Sequence, residues 1–182
     1  DNPEMAESLK RGIKRIDRAE FLGAVMKSYK NAIGVAGTHG KTTTTSILAH
    51  ALIYAEKDPT VSVGGELDII GGNIKAGKGD YFLTEACEYT NSFLSFFPKI
   101  GLILNIEGDH LDFFKDLDDI RLSFRRFAEL LPTDGTLIIN GAIENLSELT
   151  DGLSCKTATF GLSPDCDYYA ADITYNENGC PT

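Results

Sequence analysis

The run Gly37-Thr38-His39-Gly40-Lys41-Thr42-Thr43 constrains this chain more than any other feature. It follows the apolar stretch Ala32-Ile33-Gly34-Val35-Ala36 and opens into a helical pattern from Thr44 to Tyr54. Strand, glycine-bearing turn, Gly-Lys-Thr and helix form the context that a phosphate-binding loop requires. Glycine lets the backbone fold round an anion with several N–H groups pointing inward. The helix behind presents unpaired N–H groups and its positive dipole end to the same anion. Lys41 adds a point charge for outer phosphates, and the Thr42 hydroxyl can sit on Mg²⁺. Gly37, Thr38, His39, Gly40 and Thr43 complete the cradle. The general pattern G-x-x-x-x-G-K-[ST] wants glycine where Val35 stands, so the turn is glycine-bearing but differently spaced. The alternative is a strand-to-helix connection that merely contains glycines.

A net charge of -10 over 182 residues argues against nucleic-acid or anionic-membrane partners, yet a local cationic pocket for ATP is compatible with it. The cysteines, Cys87, Cys155, Cys166 and Cys180, form no C-x-x-C pair, which points to reduced thiols and a cytoplasmic protein rather than zinc. No apolar run has the length of a membrane span, and the start shows no signal-peptide pattern. The first residue is Asp1, so a piece of a longer chain is expected.

Asn2-Pro3 predicts a capped helix to about Lys10, and Asp17 with Glu20 a capping box for a second. From residue 31 strands and helices alternate. Strands are expected at 32–36, 60–63, 81–85, 100–106, 136–140, 156–160 and 168–175, and helices at 41–55, 118–131 and 143–150, with a short one near 91–96. Continuous apolar strands between helices imply an α/β fold, a mostly parallel sheet with helices on both faces.

Ligands of such sheets bind beyond the carboxyl ends of the strands. One strand ends at the phosphate loop, one at Glu85, and one near Asn105, Glu107, Asp109 and His110. Thr42 and Glu85 offer the oxygen ligands that Mg²⁺ prefers. Glu85 can equally be a turn carboxylate, and His110 a packing or surface histidine. Asp109, Asp112, Asp116, Asp118 and Asp119 lack the EF-hand spacing, and Asp116 or Asp118 is more simply a helix cap. His39 can meet phosphate or substrate, whereas His50 reads as structural. Gly64-Gly65 and Gly71-Gly72-Asn73 bracket either a surface hairpin or a substrate loop whose Asn73 amide donates a hydrogen bond.

Three strings now stand in order: Ala36 to Thr44, Glu85-Ala86-Cys87-Glu88-Tyr89, and Asn105-Ile106-Glu107-Gly108-Asp109-His110-Leu111-Asp112. Together they resemble the central ATPase domain of the Mur ligases of peptidoglycan synthesis, over nearly the whole chain. That family has a modified phosphate loop, which accounts for Val35. Arg18-Ala19-Glu20-Phe21-Leu22 is similar to the family's helix between the UDP-binding and ATPase domains.

The resemblance implies a P-loop-type Mur ligase central domain. Residues 1–30 would be the tail of an N-terminal UDP-binding domain with a linker helix. Residues 31–182 would be the central ATP-binding domain, cut short at its end, with the C-terminal domain absent. It implies ATP and Mg²⁺ as cofactors and UDP-N-acetylmuramate as substrate, its lactyl carboxylate phosphorylated and then attacked by an amine. The loop His39, the threonine run and the Glu85–Tyr89 string are most similar to the branch that takes L-alanine. The muropeptide-recycling branch, which joins a whole peptide to the same nucleotide sugar, is the near alternative. Folylpolyglutamate synthetase is a more distant one that His39 opposes.

In this scheme Lys41 stabilises the transferring phosphoryl group, Thr42 and Glu85 hold one Mg²⁺, and His110, with Glu85 bridging, helps to hold a second. The carbamylated lysine of several Mur ligases finds no counterpart among Lys115, Arg121, Arg125 and Arg126. Adenine contacts are expected beyond Thr182, and the chain alone is expected to bind nucleotide without catalysing ligation. A GTPase switch is disfavoured, because no N-K-x-D segment is present.

Overall fold

Alternating apolar strands and amphipathic helices assemble as a wound sheet in the computed structural model, which describes residues 2–110 and 112–177. The helices are α1 (Pro3–Lys10), α2 (Arg18–Met26), α3 (Lys41–Tyr54), α4 (Leu117–Glu129) and α5 (Leu146–Thr150). The strands are β1 (Asn31–Ala36), β2 (Thr60–Leu67), β3 (Gly72–Lys75), β4 (Tyr81–Glu85), β5 (Ile100–Ile103), β6 (Thr136–Asn140), β7 (Lys156–Gly161) and β8 (Tyr168–Tyr169). They form one sheet in the order β3-β2-β4-β1-β5-β6-β7-β8. All neighbours pair in parallel except β2 and β3.

Side-chain alternation along β1 divides the core. Ala32 and Ala36 face a cluster built on Met26 of α2, Phe93, and Phe124 and Phe127 of α4. Ile33 and Val35 face a second cluster with Ala49 of α3, Val61 and Leu83. Burial on both faces is why these strands read as unbroken apolar runs. Phe93 stacks on Phe127 at 4.9 Å between ring centroids and meets Phe124 edge-on at 5.5 Å. Each such buried ring stabilises the fold by roughly 2–3 kcal/mol.

The two N-terminal helices differ. α1 buries no residue. α2 buries Gly23 and Met26, and a Cβ on Gly23 would lie 2.0 Å from the Ser95 carbonyl oxygen, so only glycine allows that approach. The Asp17–Glu20 capping box forms as expected.

Some expectations need correction. The strand expected at 100–106 ends at Ile103, and that expected at 168–175 is only Tyr168–Tyr169. The short helix near 91–96 is a 3-10 segment, Tyr89–Ser95, broken by Thr90 and Asn91 at φ 54° and 58°. The glycine-rich stretch takes the hairpin form, one of its two readings. β2 runs on to Leu67 and returns through β3, with a bulge between Ser62 and Leu67. Asp116, not Asp118, caps α4. Cys180 lies outside the described residues.

Candidate active site

Chain direction reverses around β1. From β1 the chain runs to β2, β3 and β4 on one side, then crosses to β5 on the other. The crevice beyond the carboxyl ends of β4, β1 and β5 is therefore the switch point where such sheets bind ligands. The Gly37–Gly40 turn occupies its centre.

Gly37 and Gly40 take φ 147° and 81°, conformations that favour glycine. Gly40 is the N-cap of α3 and no side chain caps that helix. α1, α2 and α4 are each capped, by Asn2, Asp17 and Asp116. The first N–H groups of α3 thus keep their donors and the positive helix end for an external anion.

The segment that follows β5 braces the loop. Thr38 N–H donates to the Asn105 carbonyl at 3.2 Å. The Asn105 side chain accepts from His39 N–H at 2.7 Å and donates to the His39 carbonyl at 3.1 Å. Thr38 Oγ1 accepts from Glu107 N–H at 2.9 Å. The His39 ring reaches outward to Glu107, 3.5 Å away, with both side chains largely exposed. Asn105 was expected near the site but not as this brace. The bonds join residues 66 apart, and no local pattern announces them.

Lys41 folds back over the loop. Its Nζ donates to the carbonyls of Gly37 and Thr38 and lies 3.0 Å from Glu88 Oε2. Glu88 is 2% exposed. Residue-by-residue reasoning gave Glu88 no role; the available signal was an acidic residue set between strand β4 and an aromatic segment.

Glu85, at the end of β4, accepts from Gly64 N–H at 2.6 Å. A Cβ on Gly64 would lie 2.9 Å from its carboxylate, and one on Gly65 would lie 3.5 Å from the Thr42 methyl. The Gly64-Gly65 bulge is therefore the shared wall of Thr42 and Glu85, which the structure brings to one corner. β2 is level with β4 at Ser62 and Thr84. Its residues from Val63 to Leu67 run on by roughly 15 Å beyond that point. Asn73 sits exposed on the returning strand of this hairpin.

His110 takes φ 53°, and its backbone N–H donates to Asp109 Oδ1 at 2.7 Å as a tight local brace. Its ring lies 4.7 Å from that of Tyr89, next to Glu88 in sequence. Tyr89 donates to Asp112 at 2.9 Å. That hydrogen bond to a carboxylate raises the Tyr89 pKa above its usual value. His110 thus stands on the Glu88–Tyr89 side of the crevice. Among the described residues no three His, Cys, Asp or Glu side chains gather as a metal cage. A cleft of about 350 Å³ beside the loop is lined by Asn105, Glu107, Arg121, Asn140 and Glu144.

The Mur ligase middle-domain family model matches residues 35–182. The chain belongs to that family. The fold is that of solved Mur ligases. The UDP-N-acetylmuramate-alanine ligase of Thermotoga maritima is 29% identical with a TM-score of 0.78, over 96% of this chain and 39% of that one. The UDP-N-acetylmuramate:L-alanyl-gamma-D-glutamyl-meso-diaminopimelate ligase of Neisseria meningitides is 27% identical with a TM-score of 0.80, over 96% of this chain and 58% of that one. Among curated relatives, the UDP-N-acetylmuramate–L-alanine ligase of Lachnospira eligens is 55% identical over 98% of this chain and 39% of its own length. That of Clostridium botulinum is 51% identical over 99% of this chain and 39% of its own. The chain therefore spans about two fifths of the length of these curated relatives.

Proposed function

We propose that this chain is the ATP-binding part of a ligase that joins L-alanine to the lactyl carboxylate of UDP-N-acetylmuramate, in the cytoplasm, for peptidoglycan synthesis. Identity above half with alanine ligases, sustained along nearly the whole chain, carries this reading. Residues 31–182 are assigned to the central domain, and residues 1–30 to the end of a UDP-binding domain and its linker.

The residues fit a nucleoside triphosphate: α3 alone among the longer helices lacks a side-chain cap, and two left-handed glycines shape the turn before it. ATP, held with Mg²⁺, supplies the phosphoryl group that turns an unreactive carboxylate into an acyl phosphate open to amine attack. The N–H groups of Gly40 to Thr43 hold phosphate oxygens. Lys41 neutralises charge on the transferring group, the electrostatic task that dominates such reactions. The Thr42 hydroxyl and the Glu85 carboxylate, on two residues that both lie against the Gly64-Gly65 wall, are the oxygen ligands for Mg²⁺. His110 would hold a second ion on the Tyr89 side, and His39 and Asn73, on the loop and the projecting hairpin, would meet substrate.

A second reading, a ligase that adds a whole peptide, is favoured by the likeness to the Neisseria enzyme. The test is ADP formation by the whole protein that carries this chain, with Mg²⁺ and UDP-N-acetylmuramate. ADP that appears only with free L-alanine supports the alanine ligase. Turnover with L-alanyl-D-glutamyl peptides instead supports the second reading.

A further inference from the structure

An ammonium has three donors, and each donor of Lys41 meets a protein acceptor: the Gly37 and Thr38 carbonyls and the Glu88 carboxylate. Two of these contacts lie inside the loop itself. The third comes from beyond β4 and is the most buried, the Lys41 and Glu88 side chains being 15% and 2% exposed. A carboxylate so deeply buried is costly unless a cation neutralises it. It also repels the phosphates that the loop is shaped to hold. An acid at this place does not serve phosphate affinity, so its use must lie elsewhere.

The backbone that carries Glu88 is rigidly held. Ala86 N–H donates to Val35 at 2.8 Å and Asn91 N–H to Glu88 at 2.9 Å. Thr90 and Asn91 both take the left-handed conformation, and the Asn91 side chain is bonded to buried Ser123 of α4. Strain of this kind persists only where surrounding contacts over-determine it. The next residue, Tyr89, carries the His110 ring and Asp112. One braced turn therefore places Lys41 on one side and His110 on the other.

We propose that Glu88 is a positioning residue for phosphoryl transfer. When phosphate oxygens replace the loop carbonyls as acceptors, Glu88 keeps its contact and fixes Lys41 Nζ at the transferring group. The proposal rests on the loop's being an ATP site. It predicts that Glu88→Gln, in the whole protein, lowers kcat about 100-fold, the scale of a small misplacement of a catalytic group, while KM for ATP moves less than about threefold. In ¹⁵N-lysine-labelled protein the Lys41 ammonium signal, protected by Glu88, is lost in the variant. Wild-type kcat in Glu88→Gln, or an altered KM with kcat unchanged, overturns the proposal. If the wild type turns over with no acceptor, the ligase reading fails. Glu88 is then judged on Mg²⁺-ATP binding and the ammonium signal: unweakened binding with a lost signal supports it, and a retained signal overturns it. Should Glu88→Gln not fold, Glu88→Asp takes its place, with kcat about tenfold lower and KM for ATP unchanged as the supporting result; wild-type kcat there overturns the proposal.

Discussion

Helices α3 and α4 both begin beyond the carboxyl ends of neighbouring strands, β1 and β5, yet their first turns are opposites. α4 is sealed. Asp116 accepts from Asp119 N–H at 3.0 Å, and Asp118 and Asp119 add negative charge in the first turn. α3 has glycine at the N-cap, no acidic residue in its first turn and a run of threonines. A glycine at the N-cap in place of a capping side chain gives up only about a few tenths of a kcal/mol of stability. In α4 the helix dipole is compensated from within, and in α3 it is left for a ligand. The same secondary structure is tuned for stability at one place and for binding at another, and the difference lies in a few residues of each first turn.

Lys41→Met should produce the largest effect on the open side. The ligation rate is expected to fall about 10³-fold, as charge stabilisation of the transition state is lost. Glu88 would then be buried without a partner, which costs about 3 kcal/mol in stability. Adding Glu88→Gln should restore the urea midpoint but not the rate. A double variant as unstable as Lys41→Met would show that the ion pair is not what holds this region.

Thr43→Glu comes next, because it gives α3 the kind of first turn that α4 has. Thr43 is exposed, so the fold should tolerate the change. The new carboxylate competes for the same N–H groups and repels phosphate, and Mg²⁺-ATP binding is expected to weaken about a hundredfold. Calorimetric titration showing unchanged affinity would mean that the α3 terminus is not the phosphate site.

The contrast between the helix starts was legible in the sequence, because caps and phosphate loops are local patterns. Gly40-Lys41-Thr42 and Asp17 with Glu20 are read from neighbours in the chain, as were the bounds of β4 and β6. What was not legible depends on contacts between distant segments. Glu88 meets Lys41 across 47 residues, and nothing near either residue announces the pair. Gly64 reads as one end of a hairpin or substrate loop, and in the structure it is small because the Glu85 carboxylate lies against it. The sequence near 91–96 reads as a short helix, whereas the structure has a broken 3-10 segment at Tyr89–Ser95, since two left-handed non-glycine residues follow from tertiary bracing and not from local preference.

Asp116→Ala tests the sealed side. It should cost about 1 kcal/mol in urea denaturation and leave Mg²⁺-ATP affinity unchanged. A loss of affinity would mean that the two helix starts are coupled, and the contrast drawn between them would fail.

The smallest expected effect concerns acid, far from either helix start. Asp167 accepts from both the N–H and the hydroxyl of Thr159, and these bonds hold its pKa below the ordinary 3.8. A carboxyl depressed in the folded state contributes stability that is present above its unfolded pKa and lost as pH falls through the folded one. The contribution of Asp167 should therefore fade only below about pH 4. Replacing it with Asn should flatten the dependence of the urea midpoint on pH below that point. Superimposable acid limbs for the two proteins would show that the Thr159 bonds do not outlast solvent competition at this exposed position.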